Sequence, residues 1–197
     1  MKKYHTLKTA LIALDKKALK ENLTLKVIID YLSGKGENIL IVILSLPFCF
    51  PIHVPGISLV FGLIIALIAI CFTFDKKMWF PKKLLDKKIK RSTVKEWSTH
   101  ALALIQKAKS LTKPRLIKLT KPSEAKITHG IVIFFLGILL ALPLPIPATN
   151  ITAAWSIFLI SFGLLESDGL FIILGYVATL FTTAFFILIA FTAIKIF

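Results

Sequence analysis

A small set of side chains in this sequence has the type and the setting to do chemistry in an apolar environment. His53 stands between Pro51 and Pro55, inside a run free of Asp, Glu, Lys and Arg that covers residues 38–74. An unperturbed imidazole titrates near pH 6.5, which makes His53 the obvious proton-responsive group. The structural alternative is a ring that bonds a loop carbonyl or a helix end. Ser58, Thr149, Asn150 and Thr152 follow two proline clusters, at the expected starts of two helices. Residues of these types cap helices. Two helix amino-termini turned toward one cavity also favour an anion, because their free N–H groups point into it. Glu166 and Asp168 are the only acids after residue 126. Ionisable groups within a membrane domain are candidates for a gate or a cation site. Their place beside Gly169 equally suits an interfacial turn in which Asp168 caps the next helix.

Other chemistries have no footing. There is no Gly-x-x-x-x-Gly-Lys-Ser/Thr loop and no Gly-x-Gly-x-x-Gly motif, so no nucleotide site is expected. Gly34-Lys35-Gly36 reads as a turn. The two cysteines, Cys49 and Cys71, lie in apolar runs and read as buried small hydrophobes. The ten acids are mostly scattered among lysines and form no cluster able to hold a metal and a sugar nucleotide. The expectation is a protein without enzymatic activity, cofactor or metal.

The elements that must position these residues follow from composition. The chain has 197 residues, 56% hydrophobic and only 18% charged, with a mean hydropathy of +0.82. Globular domains run about 45–50% apolar and about 25% charged. Disorder and a disulfide-stapled secreted scaffold are excluded by the same figures. The net charge of +15 is distributed unevenly: +4 over residues 1–37, +12 over 75–126 and −1 over 127–197. Basic segments thus lie beside long uncharged runs, a pattern of membrane topology and not of nucleic-acid binding. The chain reads as an all-α polytopic membrane protein. No secretory signal peptide is expected, since the apolar stretch at residues 7–14 is short and runs into Asp15 and Lys16.

Three apolar runs carry the membrane part, at 38–74, 127–166 and 169–195. The first holds Pro47, Pro51 and Pro55-Gly56, and the second holds Pro143, Pro145 and Pro147. Proline inside a helix costs about 3 kcal/mol or more, so each of these runs is expected to be two helical arms joined by an extended segment. At 1.5 Å per residue the arms 38–46, 57–74, 130–142 and 151–165 reach about 14, 27, 20 and 22 Å. The hydrocarbon core is about 30 Å thick. Broken hairpins, re-entrant or strongly tilted, fit better than a set of full crossings, and the third run supplies a C-terminal transmembrane helix. Irregular backbone at membrane depth survives only where protein or a watery cavity covers it. The two proline loops are therefore expected to meet near the midplane or at a homo-oligomer interface. Leu46-Pro47 through Ser58 and Leu142-Pro143 through Asn150 form an internal echo consistent with two related halves.

Lys and Arg in short loops mark the cytoplasmic side, which places the N-terminal segment and residues 75–126 inside the cell. Leu7, Leu11, Leu14 and Ala18 share a helix face, and Leu25, Ile28, Ile29 and Leu32 repeat with helical period. Thr93 and Glu96 suit a capping box ahead of a stripe through Val94, Trp97, Ala101 and Leu104. Trp79 and Phe80, beside Lys82 and Lys83, suit the headgroup belt. These basic amphipathic helices are expected to lie on anionic lipid.

The same residues carry a resemblance. The segment from Leu25 to Gly36, the block Leu46-Pro47…Pro51…Pro55-Gly56, and the block from Ala141 to Pro147 with Asn150 match one pattern. Gly163-Leu164-Leu165-Glu166-Ser167-Asp168-Gly169 completes it. Over roughly residues 20–190 the chain resembles the ExoD-type exopolysaccharide synthesis family of bacterial inner-membrane proteins. Two positions depart from the family pattern: Ser167 stands where a basic residue is usual, and Asp75-Lys76-Lys77 replaces a Gly-Arg-type turn. The resemblance implies a bacterial inner-membrane protein linked to surface polysaccharide production, and it names a process without naming a reaction. Under it, the broken helices favour a small transporter or channel. A non-enzymatic scaffold and a lipid-handling factor of scramblase type are the other readings.

Overall fold

The computed structural model describes residues 37–50, 56–74, 103, 107, 115–116, 119–120, 123–142 and 147–196. The amphipathic helices expected before residue 37, the capping box at Thr93 and the aromatic pair Trp79 and Phe80 lie outside the described residues. So do His53, Pro51, Pro55, Pro143 and Pro145.

Every regular element among the described residues is a helix. They are α1 (Glu37–Ser45), a 3-10 turn (Leu46–Cys49), α2 (Ile57–Thr73), α3 (Ser123–Ala141), α4 (Pro147–Glu166) and α5 (Gly169–Ile196). Helices α4 and α5 contain segments long and apolar enough to cross a membrane, Ala148–Glu166 and Gly169–Thr192.

The sequence of α1 is apolar on every side, and a helix of that kind needs cover all round. It has it: Leu40, Ile41, Val42, Ile43, Leu44, Ser45 and Leu46 are all fully buried. The shortest arm is thus the centre of the molecule. It does not break at Pro47 as expected. Proline lacks only an N–H that a first turn leaves unpaired anyway, and Pro47 sits in the first turn of the 3-10 segment. Ser45 Oγ donates to the Val42 carbonyl at 3.0 Å, and Cys49 Sγ donates to the Ser45 carbonyl at 3.6 Å. The helical path ends only at Phe50, which is extended at φ −114°, ψ 155°.

Helix α2 keeps close to its expected bounds. Gly56, at φ 74°, turns the chain into it, and the Phe74 N–H closes it on the Ile70 carbonyl at 3.1 Å. Helices α3 and α4 are longer than the arms expected for them, 19 and 20 residues. Near the start of α3, Lys126 Nζ lies 5.1 Å from the centre of the Phe72 ring on α2. Helix α3 ends at Ala141, two residues before Pro143, consistent with the bias of a pre-proline residue against helical backbone. Helix α4 starts at Pro147 itself, whose fixed φ suits the first helical position. Ser58, Thr149 and Asn150 therefore lie inside first turns and are not caps, a correction to the expected helix starts.

Helices α2 and α3 run antiparallel and make the closest approach in the bundle. A Cβ placed on Gly62 would lie 2.6 Å from both the Gly137 carbonyl oxygen and the Ala141 nitrogen, and one on Gly137 would lie 2.9 Å from the Ala66 nitrogen. The facing pairs are Gly62/Ala66 and Gly137/Ala141, each with small residues four apart, the spacing that lets apolar helices touch backbone to backbone. Helices α4 and α5 form a second antiparallel pair, with Gly163 against Ile172 and Gly175 against Ile160. Helix α1 and the 3-10 turn lie along α4. Exchanging the two echoing halves would carry the α1–α4 pair onto the α2–α3 pair, and both are present.

Candidate functional site

The α4–α5 hairpin carries most of the buried polarity. At its tight end, Ser167 takes a left-handed φ of 58°, and the Asp168 N–H donates to the Gly163 carbonyl at 2.9 Å. This is the six-to-one bond of a Schellman helix end. The Asp168 carboxylate then accepts the Leu170 N–H at 3.0 Å, the capping role read from sequence. One residue closes α4 with its backbone and opens α5 with its side chain. Asp168 is fully buried, while Glu166 is half-buried.

From the opposite end, hydroxyls climb α4 in helical steps. Thr152 Oγ1 donates to the Thr149 carbonyl at 3.0 Å, and Ser156 Oγ donates to the Thr152 carbonyl at 3.0 Å. Ser156 Oγ also lies 3.2 Å from Thr182 Oγ1 on α5. Thr149, Ser156 and Thr182 are fully buried. Asn150 Oδ1 and Ser161 Oγ are buried without a hydrogen-bond partner. Asn150 and Ser161 are eleven residues apart and share a face of α4 with Ala154 and Ile157. Buried oxygens are rarely left unmatched, which sets these two apart from the bonded hydroxyls of the same helix.

The described edges of the two proline regions meet. Trp155 Nε1, in the third turn of α4, donates to the Cys49 carbonyl at 3.1 Å. Phe48 and Phe61 stand edge to face beside it in the core, as do Trp155 and Phe158. Ser58 is buried at the start of α2, at this same end. The sequence candidates thus divide into two groups. Ser58, Thr149, Asn150 and Thr152 lie at the proline end, whereas Glu166 and Asp168 lie at the far end of α4. Sixteen residues of α-helix from 150 to 166 separate them by about 24 Å, so they are not one site.

A polar centre that the sequence reading missed joins α3 to α5. His129 is buried, with Nδ1 2.8 Å from the Tyr176 hydroxyl and Nε2 2.9 Å from the Leu119 carbonyl. A carbonyl only accepts, so Nε2 carries the proton and Nδ1 accepts from Tyr176. The available signal was a histidine within one uncharged run and a tyrosine within another. Two polar rings in apolar helices need partners, but a separation of 47 positions hid the pairing.

No group of three or more His, Cys, Asp or Glu that would hold a metal occurs among the described residues. Cys49 is buried and Cys71 half-buried, and the two are not joined in a disulfide.

These features define an all-helical, strongly apolar bundle with internal hydroxyls and interrupted helices. The chain belongs to the exopolysaccharide synthesis, ExoD family, whose pattern matches residues 7–188. It is 33% identical over 172 residues to Protein ExoD of Rhizobium meliloti, covering 87% of this chain and 72% of that protein. It is 36% identical over 134 residues to an uncharacterized protein of Synechocystis sp., covering 68% of this chain and 62% of that one. No solved structure matches the chain.

Proposed function

We propose that this protein is an integral membrane protein of the bacterial inner membrane that serves exopolysaccharide synthesis or export as a small transporter or channel. The family supports the process. The observation that carries the mechanism is the Trp155–Cys49 hydrogen bond, which draws together the described edges of both proline-broken regions. Discontinuous helices in corresponding positions of two halves point to a binding site, because their irregular backbone is costly unless it lines something. Asn150, Thr149 and Ser58 stand at that end, and His53 falls between Cys49 and Gly56 in the sequence.

Membrane integration is supported by the outer faces. Ile131, Phe134 and Phe135 on α3, and Val177, Leu180, Phe181 and Leu188 on α5, are exposed. Such broad apolar faces suit lipid tails. Helix α5, with 28 residues, is about 42 Å long against about 30 Å for α4. The two share a turn at one end, so the proline end of α4 stops about 12 Å short of the end of α5. On this reading Asn150, about 24 Å from the shared turn, lies level with the middle of α5, at membrane depth. The basic segments hold anionic headgroups on the cytoplasmic side, and a homo-oligomer completes the cover of the loops. No catalytic step, cofactor or nucleic acid enters this reading.

The test is flux into proteoliposomes across protons, monovalent ions and small anions, comparing the native protein with His53→Ala and Asn150→Ala. Movement of one solute class that both substitutions reduce is the expected result. If nothing moves while both variants still sustain polysaccharide production, the transport reading fails. Movement of dye-labelled lipid in the same vesicles, without solute flux, would replace it with lipid handling.

A further inference from the structure

The charges of the five helices lie almost wholly at one end of the bundle. Trp155 bonds the Cys49 carbonyl, the Phe48 and Phe61 rings meet with centroids 5.4 Å apart, and Gly62 abuts Ala141. These contacts mark one level, and from it the four helices α1 to α4 extend to the same side. The end of α2 lies beside the start of α3, because Gly130 abuts Thr73 and Lys126 stands over the Phe72 ring. Helix α1 packs on both α2 and α4, and its complete burial from Leu40 to Leu44 sets it alongside them and not beyond their tips. Glu37, Glu124, Lys126 and Glu166 all fall at this second end, about 16–26 Å along their helices from the first level. The one other charge within the helices is Lys195, in the last turn of α5. Helix α5 runs antiparallel to α4, and Lys195 lies about 20 Å beyond the contact of Thr182 with Ser156.

Both basic segments join the helices at the charged end. Residues 1–37 lead into α1, and residues 75–126 connect the end of α2 to the start of α3. Lys and Arg in such segments stay on the cytoplasmic side, and one lysine at position 195 weighs little against a net +12 over residues 75–126. We infer that the hairpins α1–α2 and α3–α4 both enter from the cytoplasmic face and return to it, that α5 alone crosses to the other face, and that Ser58, Thr149 and Asn150 are approached from that outer side. Between these residues and the cytoplasmic end stand Leu40, Ile64, Ile68, Ile133, Leu136 and Ile157, all fully buried. Apolar side chains packed as tightly as a protein core form a plug there. Gly56 and Ala148, at the tips of the hairpins, are exposed. The sidedness holds whether the tips stop within hydrocarbon or reach the outer surface, since each hairpin comes back. The inference rests on the membrane reading given under Proposed function and adds the side from which its site is reached.

The test is labelling of the full-length protein by a membrane-impermeant maleimide in spheroplasts, intact and then lysed. Lys126→Cys and Glu166→Cys report the charged end, Ala148→Cys the hairpin tips and Lys195→Cys the end of α5. The native protein, with Cys49 and Cys71, sets the baseline. Lys195→Cys and Ala148→Cys should label before lysis, whereas Lys126→Cys and Glu166→Cys should gain label only on lysis. A phosphatase that is active only outside the cytoplasm, joined after residue 197, supplies a second measurement free of any substitution, and it should be active. Lys195→Cys labelled only on lysis together with Glu166→Cys, or an inactive phosphatase, overturns the sidedness. An Ala148→Cys that is unreactive before lysis overturns the outer approach. If all four cysteines label equally before and after lysis, or the protein is recovered free of membranes, the membrane reading itself falls, an outcome distinct from the other two.

Discussion

Trp155 and Cys49, 106 positions apart, are joined by a hydrogen bond of 3.1 Å from the indole nitrogen to the backbone carbonyl. Cys49 ends the 3-10 turn through Pro47, and Trp155 lies in the third turn of the helix that Pro147 begins. The bond therefore ties the end of one interrupted helix to the beginning of another. Its loss has a definite cost. Trp155→Phe keeps an aromatic ring there but removes the donor, leaving the Cys49 carbonyl unmatched at a cost of about 1–3 kcal/mol. Thermal unfolding in detergent should show a lower midpoint for Trp155→Phe, and an unchanged midpoint would mean that the bond contributes nothing.

The α2–α3 crossing tolerates no side chain at its centre. Gly62→Leu would drive carbons into the backbone of Gly137 and Ala141, where even a Cβ sits at 2.6 Å. The two helices must separate, and folded yield should collapse, as read by gel filtration of the solubilised protein. Gly62→Ala should be milder but still destabilising by about 1–3 kcal/mol. Normal yield and stability of Gly62→Leu would contradict the crossing.

Asp168 acts on α5 through its side chain, and this contribution separates by isostere. Asp168→Asn retains an oxygen acceptor at the cap, whereas Asp168→Ala removes it at about 0.5–2 kcal/mol. The expected order of stability is native, then Asn, then Ala, in denaturant titrations followed by circular dichroism. Equal stability of the Ala and Asn variants would show that the cap bond is not what the carboxylate supplies.

Between α4 and α5, Ser156 and Thr182 form a buried hydroxyl pair at 3.2 Å. A double-mutant cycle with Ser156→Ala and Thr182→Val should give a coupling of about 0.6 kcal/mol, the average for hydrogen bonds between apolar helices. Simple additivity within error would show that the two hydroxyls are neighbours without being partners.

His129 and Tyr176 make a similar pair across α3 and α5. Tyr176→Phe leaves the His129 Nδ1 without its donor and should destabilise by about 1–3 kcal/mol. His129→Leu should cost more, because the Tyr176 hydroxyl and the Leu119 carbonyl are both stranded. The comparison is read from unfolding midpoints in one detergent, and a His129→Leu protein as stable as native would remove this centre from consideration.

Much of the architecture was legible before any coordinates. Three long apolar runs called for helices, and Gly56 and Phe74 bound α2 within a residue of the expected limits. The cap at Asp168 was visible because caps are local: residue type and the next two positions are enough. The family, too, was carried by short proline and acid blocks. What could not be read locally is which helix lies at the centre. Residues 38–46 looked like a short, marginal arm, yet they are the most thoroughly buried in the bundle. Burial depends on what surrounds a helix, and α4, from more than a hundred residues away, supplies part of that cover. The two proline clusters likewise read as breaks of equal kind. Pro47 proves to sit within a helical turn, because the hydrogen bonds of Ser45 and Cys49 and the walls of the core favour continuing the coil. Only the assembled bundle paired His129 with Tyr176, Trp155 with Cys49, and Gly62 with Gly137. Each is a contact between elements distant in sequence, where no local signal sets the distance and close packing of the whole chain does.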